Sequence, residues 1–337
     1  VALFLALETS CDETAAAVFD DALTIRSNVV ASQDDLHRKF SGVVPEIASR
    51  AHVRQILPVI DRALHDAGVT LTQIDAIAVH NRPGLVGALL IGVSAAKAIA
   101  LARGIPLVAV NHVASHIYAC RIAAGREIFP CIGLVVSGGH TALFRCESAL
   151  SMRLLGGTRD DAAGEAFDKV AAILGLGFPG GPAVEREAKS GNPRAYDFPR
   201  SFANDARLEF SFSGLKTAVR YACHGQNVAK AEPPGPGQKR ADLAASFQEA
   251  VVDALVAKCK QALRQTGLSR LAVGGGVIAN GRLRSALAAM ATAEGAELLI
   301  PPLAMCTDNA AMAALSVELW RAGQFAPPDL DAEPNVV

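Results

Sequence analysis

The sequence predicts an α/β protein built from two lobes. Short apolar strands alternate with helical stretches along most of the 337 residues. A strand–polar turn–strand unit at the N-terminus returns after Pro130, as a duplicated lobe would. Glycine-rich turns cluster beside strand ends, where folds of this class bind ligands.

In chain order, Leu3 to Leu7 and Ala15 to Phe19 read as strands flanking the polar turn Glu8-Thr9-Ser10-Cys11-Asp12-Glu13-Thr14. Pro45 opens the helical stretch PEIASRAHVRQ, because a first turn tolerates its missing N–H. A second helix runs to about Ala67 and stops at Gly68. Asp75 to Val79 is a buried strand, Leu85 to Arg103 an apolar helix ending at Gly104, and Leu107 to Val110 a further strand. Asn111 caps the helix HVASHIYACRIA. After Pro130 come the strand Cys131 to Val136, the turn Ser137-Gly138-Gly139-His140 and the return strand Thr141 to Cys146. Asp161 caps the helix AAGEAFDKVAAIL, followed by the loop GLGFPGGP and the segment FSFSGLKTAV. Residues 227–240, with three prolines and polar neighbours, read as a flexible insertion. A long helix from Asp242 to Gln265, the strand Leu271 to Val273, the turn GGGVIAN with a helix behind it, and a last helix from near Asp308 to Gly323 complete the chain. The expected division is a first lobe over 1–127, a second over 128–325 carrying the insertion, and a tail over 326–337.

Composition removes several classes. Hydrophobic residues at 51% and charged residues at 19% exclude a disordered chain. Thirty-two basic against 33 acidic residues exclude binding of nucleic acid by bulk charge, though not by a local basic patch. The seven cysteines are odd in number, scattered and without a CxxC, which fits a reduced, cytoplasmic setting. The N-terminus lacks a basic region before its apolar residues, so no signal peptide is read there. The uncharged stretch Leu85 to Ala96 is short of the roughly 18–20 residues that span a bilayer, so no membrane association is expected.

Several residue sets could carry chemistry. His112 and His116, four apart on a helix, project from one face and could clamp a metal with one carboxylate added. Two histidines packing against a neighbouring lobe satisfy the same spacing, and spacing alone favours that reading. No glutamate follows His112, so the HExxH of a zinc protease is missing. Asp308 follows a double proline at a helix start, where an N-cap is the ordinary role and a third metal ligand the alternative. Ser137-Gly138-Gly139-His140-Thr141 has little side-chain bulk and could approach a phosphate, or be a plain hairpin turn. Gly274-Gly275-Gly276 with Asn280 offers a second such place. Asp168 lies a turn inside its helix, beyond the reach of a dipole argument, and would suit a ribose hydroxyl. Asp12 and Glu13 are either surface charge or the pair that positions an incoming amine.

Taken together, ETSCDET, SGVVPEIASRAHV, PGLVGALL, the HxxxH of His112 and His116, VSGGHT, DDAAGEAFDK, PGGP, FSFSGLKTA, GGGVIAN and CTDNAAM run in this order over nearly the whole chain. This resembles the TsaD family of tRNA adenosine threonylcarbamoyltransferases. The resemblance implies the actin-like, sugar-kinase-like (ASKHA) fold of two RNase H-like lobes with a central cleft. It implies transfer of threonylcarbamoyl from threonylcarbamoyl-AMP to the N6 amine of the adenosine 3′ to the anticodon in tRNAs reading ANN codons, with release of AMP. It makes His112, His116 and Asp308 ligands of one divalent metal per subunit, Fe2+ first and Zn2+ as the alternative. It assigns Ser137, Gly138, Gly139, His140 and Thr141 to the carbamoyl-adenylate, Asp168 to its ribose region, and Gly181 and Asn280 to the nucleotide. Asp12 or Glu13 would orient or deprotonate the amine. A TsaB-type paralogue, paired through the N-terminal lobe, and a TsaE-type ATPase are the implied partners beside tRNA.

Three positions depart from the family pattern: Ala6 and Ser41 replace glycines, and Arg82 replaces the glycine before PGL. Arg82, Arg50, Arg54 and Lys216 are nominated as tRNA phosphate contacts. A small-molecule kinase of the same fold and a non-catalytic subunit of a tRNA-modifying complex are the competing readings. The first has no need of the histidine pair with CTDN, and the second would be expected to lack the metal triad.

Overall fold

LFLALE, an apolar run closed by a glutamate, forms β1 (Leu3–Glu8), and every one of its residues is buried. Burial on both faces places β1 at the middle of a sheet, where an uninterrupted apolar run is what a strand needs. β2 (Glu13–Asp20) returns antiparallel with Leu5 opposite Val18, and β3 (Ile25–Ser32) pairs antiparallel on its outer side. On the other side β4 (Ala76–Arg82) and β5 (Leu107–Asn111) join in parallel, giving the order β3-β2-β1-β4-β5. The computed structural model describes residues 1–40, 42–203, 205–225 and 232–335. Ser41 and residues 227–231 of the expected insertion lie outside the described residues.

A second sheet repeats this plan. β6 (Cys131–Val136), β7 (Thr141–Ser148) and β8 (Ser151–Gly157) are antiparallel neighbours, while β9 (Arg270–Gly274) and β10 (Glu297–Leu299) add in parallel beside β6. The order β8-β7-β6-β9-β10 matches the first sheet strand for strand. The two RNase H-like lobes are therefore present as repeated topology, and the fold is of the actin-like, sugar-kinase-like class. Each parallel addition follows a helix-containing crossover, as parallel pairing requires.

The chain divides into two units that differ from the expected lobes at their ends. The first holds Val1–His37, Val43–Glu127 and Pro301–Val337; the second holds Arg38–Gly42 and Ile128–Ile300. Residues 301–325, expected with the second lobe, belong to the first for a packing reason. Ala310–Leu315, a buried 3₁₀ segment, packs on β1, β2 and β3. Trp320 meets the ring of Phe4 edge-on at 5.7 Å, and Phe4 stacks on Phe19 at 5.5 Å. Such aromatic burial is worth more than the loop closure it demands. The tail also lies on this unit: Arg82 Nη1 donates to Glu333 Oε2 at 2.9 Å, and Glu333 N donates to the Asn81 carbonyl. The arginine in place of the usual glycine thus has an intramolecular partner. Gly84, two residues on, has no room for a Cβ, which would stand 2.5 Å from the Ser10 carbonyl oxygen.

Helices cover the first sheet. After the short α1 (Asp34–His37), α2 (Pro45–Asp66) is one 22-residue helix where two were expected. Pro58 falls inside it without ending it, because Pro58 and Arg54, whose carbonyl loses its partner, both face water. Ile56, Val59, Ile60 and Ala63 on the opposite face join the core formed by Leu5, Leu7, Ile77 and Val79. α3 (Val86–Arg103) is by length and mean hydropathy, 1.6, sufficient to cross a membrane. Here its Ala88, Leu89, Val93 and Ala96 are buried, and the helix packs on β4 and α2. α4 (His112–Ala124) is capped by Asn111, whose Oδ1 accepts from Ala114 N at 3.1 Å.

In the second unit α5 (Ala163–Leu174) follows β8, and α6 (Gly180–Ala188) begins inside the stretch expected to be a loop. Its first turn, Gly-Gly-Pro, hides the helix from a propensity reading, since glycine disfavours helix interiors. α7 (Ser213–His224), α8 (Gln238–Thr266) and α9 (Gly281–Glu294) follow. Residues 238–240, read as insertion, are the first turn of α8. The start of α5 packs on the turn after β6 so closely that a Cβ on Gly164 would lie 2.5 Å from the Ser137 carbonyl oxygen and 2.7 Å from Gly138 Cα. Both obstacles are backbone. Gly164→Ala is therefore expected to destabilise the protein by about 1–3 kcal/mol, read as a lower midpoint in urea unfolding. The chain closes with α10 (Ser316–Arg321).

Candidate functional site

Two of the expected metal ligands come from the first turns of α4. Successive turns put His112 and His116 on one face, with ring centroids 4.7 Å apart. Both are buried. Asp308 arrives from the segment before the 3₁₀ turn, and its Oδ1 lies 3.5 Å from His112 Nε2 and 3.3 Å from His116 Nε2. Its ordinary role is taken by its neighbour: Asn309 Oδ1 accepts from Met312 N at 3.3 Å and caps the turn. That releases the Asp308 carboxylate toward the histidines. His112, His116 and Asp308 all belong to the first unit.

The electrostatics of the three are coupled. Burial opposes charge on His112, yet the Asp308 and Glu8 carboxylates outweigh it and raise its pKa to about 9. Burial, with His112 alongside, holds His116 below the usual histidine range despite Asp308. Burial alone would lift Asp308, but His112 and His116 hold it below the usual carboxylate range. Neutral imidazole and ionised carboxylate are the forms that bind metals.

The residues fit a divalent ion. His116 Nδ1 is buried without a hydrogen-bond partner, and Nε2 meets only the Asp308 carboxylate at 3.3 Å, a costly state for a fully buried ring. The separations of 3.3 and 3.5 Å match the ligand-to-ligand edge of about 3.4 Å around an ion bound at ~2.1 Å. Two imidazoles and one carboxylate suit Fe2+ or Zn2+. Glu8, His80 and His112 form a second group with metal-ligand chemistry. Their atoms approach to 2.7 Å for Glu8–His80 and 2.9 Å for Glu8–His112, which are hydrogen-bond and ion-pair spacings.

Glu8, His80 and Ser115 went unnoticed in the sequence as site residues. The signal was there: a glutamate closing a fully apolar strand, and a histidine inside the apolar strand AIAVHNR. Asp12 and Glu13 stand half-buried at the turn between β1 and β2. With Asp34 their carboxylates gather within 4.8 Å. Burial first, then Asp12, Asp308 and Asp34, push Glu13 well above the usual carboxylate range. The turn is pinned by its backbone: the buried His52 lies with Nε2 3.0 Å from the Cys11 carbonyl, and Gln33 N donates to the Asp12 carbonyl at 3.2 Å.

The other expected residues lie in the second unit. Ser137 N donates to the His140 carbonyl at 2.8 Å, and Ser137 Oγ accepts from His140 N at 3.2 Å, so this hydroxyl closes its own turn. Thr141 Oγ1 accepts from Ala163 N at 2.9 Å and caps α5, while Gly138 and Gly139 are exposed with open space beside them. Asp168 Oδ1 accepts from Gly180 N at 2.8 Å, pinning the start of α6; Gly181 next to it has open space. Asn280 caps α9 through Leu283 N and donates to Gln248 Oε1 at 2.7 Å.

Asp161 was expected as the cap of α5, but Ala162 holds that position and Asp161 binds two lysines instead, Lys169 and Lys216, each at 2.7 Å. Lys216, nominated for phosphate, is thereby engaged. Burial would raise Asp161, but the two lysines hold it below the usual carboxylate range. A carboxylate depressed in the folded state contributes stability above its unfolded pKa and loses it as pH falls through the folded value. Asp161→Asn should therefore cost about 1 kcal/mol at pH 7, modest because the lysines are 39% and 27% exposed. The gap between variant and wild type should close as pH falls below about 4; urea unfolding at pH 7 and pH 3 reads it.

Comparison with known proteins follows this geometry. Residues 24–315 match the family model described as TsaD: tRNA N6-adenosine threonylcarbamoyltransferase. The chain is 51% identical over 348 aligned positions to a protein of that name from Rhodopirellula baltica, covering 99% of this chain and 97% of that one. It is 53% identical to the one from Anaeromyxobacter dehalogenans, with 98% of each covered. Among solved structures, full-length HypF in a phosphate- and nucleotide-bound form aligns at TM-score 0.62 and 13% identity, over 96% of this chain and 56% of HypF. The chain thus spans little more than half of HypF. The 2-hydroxyglutaryl-CoA dehydratase component A of Acidaminococcus fermentans aligns at TM-score 0.53 and 13% identity, over 95% and 97% of the two chains. At such identity these two structures speak for the fold alone.

Proposed function

The chain belongs to the TsaD family, the tRNA N6-adenosine threonylcarbamoyltransferases, and we propose that it moves threonylcarbamoyl from threonylcarbamoyl-AMP to the N6 amine of the adenosine 3′ to the anticodon in tRNAs reading ANN codons. The observation that carries this reading is the meeting of the buried His112 and His116 with Asp308, whose Oδ1 lies 3.5 and 3.3 Å from their Nε2 atoms. N6 attacks the carbamoyl carbon, the bond from that carbon to the phosphate oxygen breaks, and AMP departs. The proton released from N6 passes to Asp12 or Glu13. An aromatic amine is a weak nucleophile, so the acceptor carbonyl must be polarised and the developing oxyanion stabilised. One divalent ion, Fe2+ before Zn2+, held by His112, His116 and Asp308, would supply that polarisation as a Lewis acid.

Glu13 suits the role of base because burial and the neighbouring Asp12 push its carboxyl well above the usual carboxylate range, which strengthens it as a proton acceptor. Gly138 and Gly139 present backbone N–H groups that a phosphate can approach, in a turn shaped by Ser137, His140 and Thr141. Asp168 is assigned to the ribose region and Gly181 and Asn280 to the nucleotide.

Tertiary partners are part of the same reading. Val53 and Leu57 on α2 and Val86 and Leu90 on α3 are exposed apolar residues of the first unit, and they support pairing there with a TsaB-type paralogue. Arg50 and Arg54, the nominated phosphate contacts, are exposed and share a helical face with Val53 and Leu57. A TsaE-type ATPase and tRNA complete the set, with a cytoplasmic location.

The test is mass spectrometry of tRNA nucleosides from cells depleted of the protein and rescued with wild type or with His112→Ala. Rescue by wild type alone supports the proposal. Rescue by both makes the histidine pair a packing feature and removes the metal model. An intact modified nucleoside after depletion overturns the transferase reading in favour of a kinase of the same fold.

A further inference from the structure

We propose that Glu8 is a positioning residue for the metal centre, fixing His112 in the tautomer whose Nε2 faces Asp308 and His116. This rests on the metal reading above. Glu8 closes β1, and its carboxylate is wholly buried, an expensive placement that a structural strand end does not need. Each of its oxygens is committed. Oε1 accepts from Ser10 N. Oε2 lies 2.9 Å from His112 Nδ1, and His80 Nδ1 makes an ion-pair contact with the same oxygen at 2.7 Å.

The proton inventory gives this arrangement a direction. An ionised carboxylate only accepts, so the hydrogen at His112 Nδ1 points to Glu8. His112 Nε2, 3.5 Å from Asp308 Oδ1, is then the nitrogen that an ion would take once its own proton leaves. Glu8 is itself held from behind. Ser115 Oγ donates to the Asn111 carbonyl at 3.0 Å and lies 2.9 Å from His80 Nε2, which fixes the ring behind Glu8. Ser115 sits on α4 between the two ligand histidines, so the helix that carries the ligands also anchors the ring that flanks Glu8. A carboxylate behind a ligating imidazole orients the ring and raises its basicity.

Metal binding tests this without recourse to turnover. Metal-free wild type and Glu8→Gln, full length, are titrated with Co2+ and followed by the visible absorption band of the bound ion. Circular dichroism checks that the variant is folded. Glu8→Gln should bind Co2+ about ten- to a hundredfold more weakly, with a shifted or weakened band, because the amide is a poorer acceptor and no longer selects one tautomer. Equal affinity and an unchanged band overturn the proposal. Wild type that takes up no Co2+ overturns the metal reading itself, so the two failures are distinct. A second measurement needs no variant: in Zn2+-loaded wild type, 1H–15N spectra should show His112 with its proton on Nδ1 and the ion on Nε2. An ion on Nδ1 removes the role assigned to Glu8.

Discussion

His116→Ala is expected to yield a folded protein that retains no stoichiometric metal and forms threonylcarbamoyladenosine about a thousandfold more slowly than wild type. The factor follows from the size of the effect at stake. Lewis-acid stabilisation of a developing oxyanion is worth several kcal/mol, and about 4 kcal/mol corresponds to three decades of rate. The expectation of an intact fold follows from two opposed terms. Truncating a buried ring leaves a cavity at a cost of about 3–5 kcal/mol. Removing the buried Nδ1, which lacks a partner, returns about 1–3 kcal/mol. The net loss is therefore a few kcal/mol at most, within what a domain of this size tolerates. Elemental analysis of the purified variant, beside nucleoside mass spectrometry of its product, checks both halves. Retained metal with turnover within threefold of wild type would sink the assignment of His116.

Glu13→Gln should lower turnover by about two to four decades, the range lost with a general base. The sign of the pH dependence follows from the raised carboxyl. A base works only when deprotonated, so wild-type rate should fall as pH drops through a pKa above the free glutamate value. Glu13→Gln should show a flattened profile on the acid side. If Asp12→Ala and Glu13→Ala each keep near-normal rates, the proton goes elsewhere.

The two-lobed α/β class was legible because its signals are local. Apolar runs such as LFLALE and CIGLVV are short, bounded by polar turns and too regular to be loops. The repeated strand–turn–strand unit was visible for the same reason. Elements with weaker local signals were not. β3 holds one buried residue and β8 none, and α6 opens on glycines, so neither a buried apolar run nor helix propensity marks them. Two helices were expected where α2 runs on unbroken through Pro58, because the cost of a missing hydrogen bond depends on whether water can replace it.

At the site the division is sharper. Spacing alone placed His112 and His116 on one face of α4, and the order of the motifs tied Asp308 to them. Sequence could not choose between Asp308 as a cap and Asp308 as a ligand, since an aspartate at a helix start serves either role. In the structure Asn309 takes the cap, and the Asp308 carboxylate lies beside His112 and His116. Nor could it reveal that residues 301–325 pack on the first sheet, or that Glu8 and His80 stand behind His112. Those are contacts between residues far apart in the chain. Their energies come from burial and from partners that the fold alone brings within reach, whereas helix periodicity, turn chemistry and motif order are written in neighbouring residues.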